Sequence, residues 1–117
     1  MIFCHIVDDF YLQGWLASAK QKSWWEANAP RRLYKHDYIV ALAIHSLSWS
    51  FMILLPIAFS LSFDVNWFFL VIFILNAILH GLVDDLKANK LLINLMLDQS
   101  IHIFQIVVTF IFFVRIK

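Results

Sequence analysis

The chain has 117 residues, of which 62% are hydrophobic and 17% aromatic, with nine Lys and Arg against eight Asp and Glu. That length suits one domain. An apolar share so far above the roughly 45–50% of soluble domains, with a mean hydropathy of +0.78, predicts an integral membrane protein. A net charge of +1 argues against a nucleic-acid binder, which would carry a strong basic excess. The single cysteine, Cys4, excludes an internal disulfide and an all-cysteine zinc site.

The first residues carry no basic n-region and no small-residue cleavage site follows them, so no removable signal peptide is expected. Residues 2–19 read as a first helix, with Ile2, Phe3, Ile6, Val7, Phe10, Leu12, Trp15 and Leu16 around a polar stripe of His5, Asp9 and Gln13. Its length is marginal against the about 20 residues of a bilayer span, so it either crosses or inserts as a shorter helix among the others. Residues 20–37 form a basic connection with Lys20, Lys22, Arg31, Arg32 and Lys35, and with Trp24, Trp25, Tyr34 and Tyr38 as interfacial aromatics. Pro30 breaks it after a short amphipathic turn. Residues 38–61 read as the clearest span, without formal charge from Ile39 to Leu61 when His45 is neutral, and with Pro56 inside it. Residues 65–86 and 91–114 complete the expected set, joined by a connection at 86–90 that carries Lys87 and Lys90. Seven of the nine Lys and Arg residues lie in the connections 20–37 and 86–90, which the positive-inside rule therefore puts in the cytoplasm. The expected fold class is all-α, an integral membrane bundle of four hydrophobic helices with a polar His/Asp centre.

Five of the eight acids, Asp8, Asp9, Asp84, Asp85 and Asp98, fall in or at the edge of these apolar stretches, where a charge at mid-bilayer costs about 2.5–3.5 kcal/mol on insertion scales. They are ordered. His5 with Asp9, His80 with Asp84 and Asp98 with His102 are all four residues apart, a spacing that puts both side chains on one helix face. The stripes extend to Asn76, His80, Asp84 and Lys87 on the third helix and to Asn94, Asp98, His102, Gln105 and Thr109 on the fourth, while the second contributes His45. With 1.5 Å of rise per residue, His45 and Asp98 lie roughly 10 Å, and His102 roughly 16 Å, from the starts of their helices. The polar faces should meet between the midplane and the cytoplasmic interface, leaving the apolar faces to lipid.

Imidazole and carboxylate together suit a divalent metal ion: zinc first, and manganese, iron or magnesium with more oxygen donors. On this reading His45, His80, Asp84, Asp98 and His102 hold the metal with His5 as a further ligand. Asp9 serves as general base or further ligand, and Lys87 stabilises an anionic substrate or leaving group. Asp8 and Asp85 point off the stripes as helix-end or neighbour charges, and His36 is an interfacial residue. Cys4 reads as packing, the Trp24–Trp25 pair as interface anchoring, and Gln13, Gln99 and Gln105 as outer hydrogen-bond partners or structural ones. The bland alternative is that the same residues form a proton path, or hydrogen bonds that glue the helices together. No nucleophile elbow, H-E-x-x-H motif or phosphate-binding glycine loop is present.

The order His5-x-x-x-Asp9-Phe10-x-Leu12-Gln13, then His45, then His80-x-x-x-Asp84-x-x-Lys87, then Asp98-Gln99-x-x-His102 resembles a group of small bacterial and phage membrane proteins known as domain of unknown function 3307. The resemblance implies a small multi-helix membrane protein of bacterial or phage origin and no established reaction. The layout of His and Asp is also similar, at the level of pattern, to that of membrane-bound metal-dependent hydrolases. The leading expectation is metal-dependent hydrolysis of a lipid or lipid-linked substrate in the bacterial inner membrane, with membrane lipids as partners and a homo-oligomer compatible with the short loops. One rival is a proton or metal-ion carrier or channel that uses the same stripe. Another is a non-enzymatic phage or host interaction protein.

Overall fold

The computed structural model describes residues 1–116; Lys117 lies outside the described residues. The expected first helix over 2–19 is in fact three short pieces. An α-helix, α1 (Ile2–Val7), runs into one π-helical turn at Asp8–Leu12, and α2 (Leu16–Ala19) follows after Gly14. The π turn closes with the amide of Gln13 donating to the carbonyl of Asp8. It holds more residues than an α turn, so consecutive side chains are separated by a smaller angle. Gly14 ends it at φ +45°, the left-handed conformation that glycine adopts most readily after a helix. Chain direction therefore changes at Gly14.

Next come α3 (Lys22–Asn28), Pro30 and a single 3₁₀ turn at Arg32–Tyr34, then α4 (Asp37–Ser60), which passes Pro56 without ending. A tight turn with Ser62 and Phe63 at positive φ leads into α5 (Trp67–Ala88), and α6 (Leu95–Ile116) runs back beside it. Among the described residues these last three helices are long and apolar enough to cross a membrane, and α1 and α2 are not. Two asparagines move the helix starts from where hydropathy put them. Asn66 Oδ1 accepts from the amide of Phe69 at 3.0 Å, and Asn94 Oδ1 from the amide of Leu97 at 2.9 Å, so each acts as an N-cap. Leu91 at φ +53° belongs to the connection, and Asn94, expected on a polar stripe, is an exposed cap. The connection expected at 86–90 lies instead at 89–94, which leaves Lys87 inside α5.

The three long helices bury their polar residues and expose their apolar ones. His45, Asn76, His80, Asp84, Asp98, His102 and Thr109 are buried, while Ile44, Phe51, Ile78, Leu82, Phe104 and Phe110 are exposed. α4 and α5 pack most extensively, and Gly81 sets their spacing, since a Cβ there would stand 2.7 Å from Ser46 Oγ. Further along, Ser50 Oγ donates to the carbonyl of Phe73 at 2.7 Å. The half of the bundle around the α4–α5 turn is filled by Ile53, Leu54, Ile57, Ala58 and Phe69, and the opposite half receives α1 and the polar centre. We expect Gly81→Ala to lower the thermal stability of the purified protein in detergent by about 1 kcal/mol, because Ser46 must leave the Leu42 carbonyl it binds at 2.7 Å. Adding Ser46→Ala should recover most of that loss, as read by a double-mutant cycle.

Candidate metal centre

α4, α5 and α6 each bring one histidine to a common level, about one-third along each helix from the end where α1 docks. On the helical rise, His45 and His80 stand roughly 12 Å, and His102 roughly 10 Å, from that end. The His80 ring lies in the middle. Its Nε2 is 3.1 Å from His45 Nε2, and its Nδ1 is 3.3 Å from His102 Nδ1. Trp49 stacks on the His80 ring at 4.2 Å between centroids and 16° between planes, which holds the imidazole between the helices. The π turn delivers the carboxylates of Asp8 and Asp9, both buried. Asp9 Oδ1 is 3.2 Å from His45 Nε2 and 3.8 Å from His80 Nε2. Asp84 spans the centre, with Oδ2 3.4 Å from His45 Nε2 and 3.8 Å from His80 Nε2, and Oδ1 3.4 Å from His102 Nε2. Asp98 Oδ1 is 3.4 Å from the same His102 nitrogen.

Two trios therefore have donor atoms close enough to share an ion: Asp9 with His45 and His80, and His80 with Asp84 and His102. Several of these atoms are buried with no hydrogen-bond partner, namely Asp9 Oδ1, Asp84 Oδ1, Asp98 Oδ1 and His102 Nε2. Unpartnered buried carboxylate oxygens are costly, and here they cluster around the three imidazoles.

His5 stands apart from the expected ligand set. Trp49 Nε1 donates to its Nδ1 at 2.7 Å, so its Nε2 carries the proton and donates to Gln99 Oε1 at 3.0 Å. Both ring nitrogens are occupied, and burial lowers its pKa further below the ordinary range. His5 thus holds Gln99 rather than a metal. Gln99 Nε2 in turn donates to Asp9 Oδ2 and Asp98 Oδ2, both at 3.0 Å, tying the π turn to α6. Gln13, instead of reaching the centre, donates to the backbone carbonyl of Asp9. Gln105 and Thr109 both bind Asn76 and join α5 to α6.

Asp8 and Lys20 were misplaced by the one-dimensional reading. Asp8, expected off the stripe, is buried on the face it shares with His5, three residues before it. Ser48 Oγ donates to its Oδ1 at 2.6 Å, and its Oδ2 lies 3.8 Å from His45 Nδ1. Burial raises the Asp8 carboxyl above its ordinary value, opposed by the Ser48 hydroxyl and by His45. Burial pushes Asp9 the same way, but His45, His80 and Gln99 outweigh it and hold that carboxyl well below the usual range. Lys20, read as a loop cation, is buried with Nζ 2.6 Å from Asp84 Oδ2. Asn89 fixes this approach by donating to the Lys20 carbonyl at 3.1 Å and accepting from the Lys22 amide at 2.7 Å. Lys87, half-buried at the rim, donates to Asp98 Oδ2 at 2.5 Å. Asp85 and His36 sit where expected: Asp85 meets Asn89 and Lys90 outside the centre, and His36 is exposed. Cys4 is half-buried and free.

The family model described as protein of unknown function (DUF3307) matches residues 1–117. The chain belongs to that family. No curated protein matches it, and no solved structure does.

Four buried or half-buried carboxylates, Asp8, Asp9, Asp84 and Asp98, face two ammonium groups, Lys20 and Lys87. Removing Lys20 should therefore be costly. Lys20→Met is expected to destabilise the ion-free protein by roughly 3–5 kcal/mol, because it leaves Asp84 buried and unpaired. Lys20→Met with Asp84→Asn should be more stable than Lys20→Met alone, as measured by thermal unfolding in detergent.

Proposed function

We infer that the protein is a membrane-embedded, metal-dependent hydrolase acting on a lipid or lipid-linked substrate. The observation that carries this reading is the charge of the centre: with neutral imidazoles, four carboxylates against Lys20 and Lys87 leave two negative charges unmatched among nitrogen and oxygen donors. One divalent cation neutralises that surplus, and the donor types suit zinc, manganese or iron. Such an ion polarises a scissile ester or phosphoester and lowers the pKa of water. Asp8 turns His45 Nε2 inward, Gln99 fixes Asp9 and Asp98, and Lys87 offers a cation to the anionic group of a substrate at the half-exposed rim.

The surroundings favour a lipid. Apolar grooves of about 530 Å³ between α4 and α5 and about 330 Å³ between α5 and α6 open outward beside the centre and accommodate acyl chains. At the same end of the bundle, Lys22, Arg31, Arg32 and Lys35 with Trp25 and Tyr34 line a pocket of about 400 Å³ suited to an anionic head group. By the positive-inside rule that end faces the cytoplasm of a bacterial inner membrane.

The carrier reading uses the same polar residues, but the polar layer ends at Asn76, Gln105 and Thr109, and the buried core of Ile53, Leu54, Ile57, Phe69 and Ile106 closes the rest of the bundle. Protein purified in nanodiscs should contain a stoichiometric divalent ion and release head group, phosphate or fatty acid from a panel of phospholipids and lipid phosphates. Chelation or His80→Ala is expected to cut that release at least about 100-fold. Wild-type protein free of any stoichiometric divalent ion after metal supplementation would falsify the reading. Ion flux in liposomes without product formation would favour the carrier.

A further inference from the structure

The two trios share His80, yet the hydrogen-bonding chemistry of the imidazoles separates them. A neutral imidazole has one nitrogen with a proton and one with a lone pair. For His80 to bind an ion through Nε2, its Nδ1 must carry the proton, and among the described residues the group facing Nδ1 is His102 Nδ1 at 3.3 Å. His102 Nδ1 must then accept, which puts the His102 proton on Nε2. That nitrogen lies 3.4 Å from both Asp98 Oδ1 and Asp84 Oδ1, so its N–H points between two carboxylates. If His102 also bound an ion through Nε2, two N–H groups would face each other across 3.3 Å, so only one of the two Nε2 atoms can ligate. The His80 side is the one that offers a second imidazole, His45, beside two carboxylates.

The same test supports the other set. His45 Nδ1 faces the Asp8 carboxylate at 3.8 Å, so its proton belongs there and Nε2 keeps its lone pair. His45 Nε2, His80 Nε2 and Asp9 Oδ1 are 3.1, 3.2 and 3.8 Å apart, and Asp84 Oδ2 stands 3.4 and 3.8 Å from the two nitrogens. Donors about 2.0–2.2 Å from a tetrahedral ion are separated by roughly 3.3–3.6 Å, and these distances bracket that range. Lys20 on Asp84 Oδ2 uses a second lone pair of that oxygen and does not displace the ion.

We propose that the centre holds one divalent ion bound by Asp9, His45, His80 and Asp84, while His102 and Asp98 stand outside its ligand shell as positioning residues that fix the His80 tautomer. This rests on the metal-centre reading and corrects the expected ligand list: His102 and Asp98 join His5 outside it. Lys87 and Gln99 anchor the outer chain at Asp98 Oδ2, by 2.5 and 3.0 Å contacts. A second imidazole backed by a carboxylate behind a ligating histidine raises the basicity of that ligand and sets its orientation.

Cobalt(II) loading of the purified protein tests the assignment, since the intense visible absorption of four-coordinate cobalt reports the ligand shell. Wild type should bind one cobalt per chain, and X-ray absorption at the cobalt edge should count two imidazoles. His45→Ala and His80→Ala should abolish the tetrahedral spectrum. His102→Leu and Asp98→Asn should keep its band positions and weaken cobalt affinity about 10–100-fold. His102→Gln should bind more tightly than His102→Leu, because its amide oxygen accepts from His80 Nδ1. Two cobalt ions per chain, three or more imidazoles in wild type, or a changed spectrum in His102→Leu would overturn the assignment and leave the metal centre standing. Absence of cobalt binding by folded wild type would overturn the metal centre itself. The wild-type measurements need no variant, so a misfolded substitution does not leave the assignment undecided.

Discussion

Carboxylates held together away from water repel one another, and much of this architecture answers that repulsion. Asp84 and Asp98 are 0% exposed, and Asp8 and Asp9 nearly so. In a low-dielectric interior such groups persist only when neighbouring cations and donors compensate them. Lys20 comes from the first connection to meet Asp84, and Lys87 comes from the preceding helix to meet Asp98. Gln99, Ser48 and the imidazoles supply the remaining polar contacts. What is left over is negative, and its oxygens converge on nitrogen lone pairs.

The backbone irregularities serve this centre. Asp8 and Asp9 follow His5 by three and four residues and share its buried face. The π turn and the break at Gly14 then let α2 fold back so that Lys20 can enter from the side. On the other wall, Gly81 lets α5 approach α4 closely at the level of Ser46, one residue from His80 and one from His45. A bulkier residue there would widen the gap that the 3.1 Å approach of His45 to His80 depends on. Trp49 does two things at once: its ring holds His80 and its N–H fixes the tautomer of His5. The geometry is thus set by packing groups as much as by the charged ones.

The helical periodicity made part of this legible. Residues spaced by four keep one direction on any helix, so His80 with Asp84 and Asp98 with His102 had to face together, and the long apolar runs had to become long helices. Inward polar and outward apolar faces followed from the same period. The limits have physical causes. A stripe drawn only through positions four apart leaves out the i+3 neighbour, so it set Asp8 outside although Asp8 shares the His5 face. Hydropathy reads Leu91, Leu92 and Ile93 as helix, whereas the cap at Asn94 depends on a local hydrogen bond that apolar averaging does not register. The signal for that cap was present in the asparagine itself.

Composition and spacing alone determined an all-helical chain with apolar faces, paired His and Asp on α5 and α6 and a lone histidine on α4, because those properties are local and repeat with the turn of the helix. Tertiary structure decided which group stands opposite each ring nitrogen: Trp49 for His5, Asp8 for His45, His102 for His80. It also decided that Lys20, in a loop whose charge gave no hint of burial, lies against Asp84 across 64 residues of sequence. Contacts of that range are set by how helices pack, and nothing in the local sequence encodes the partner.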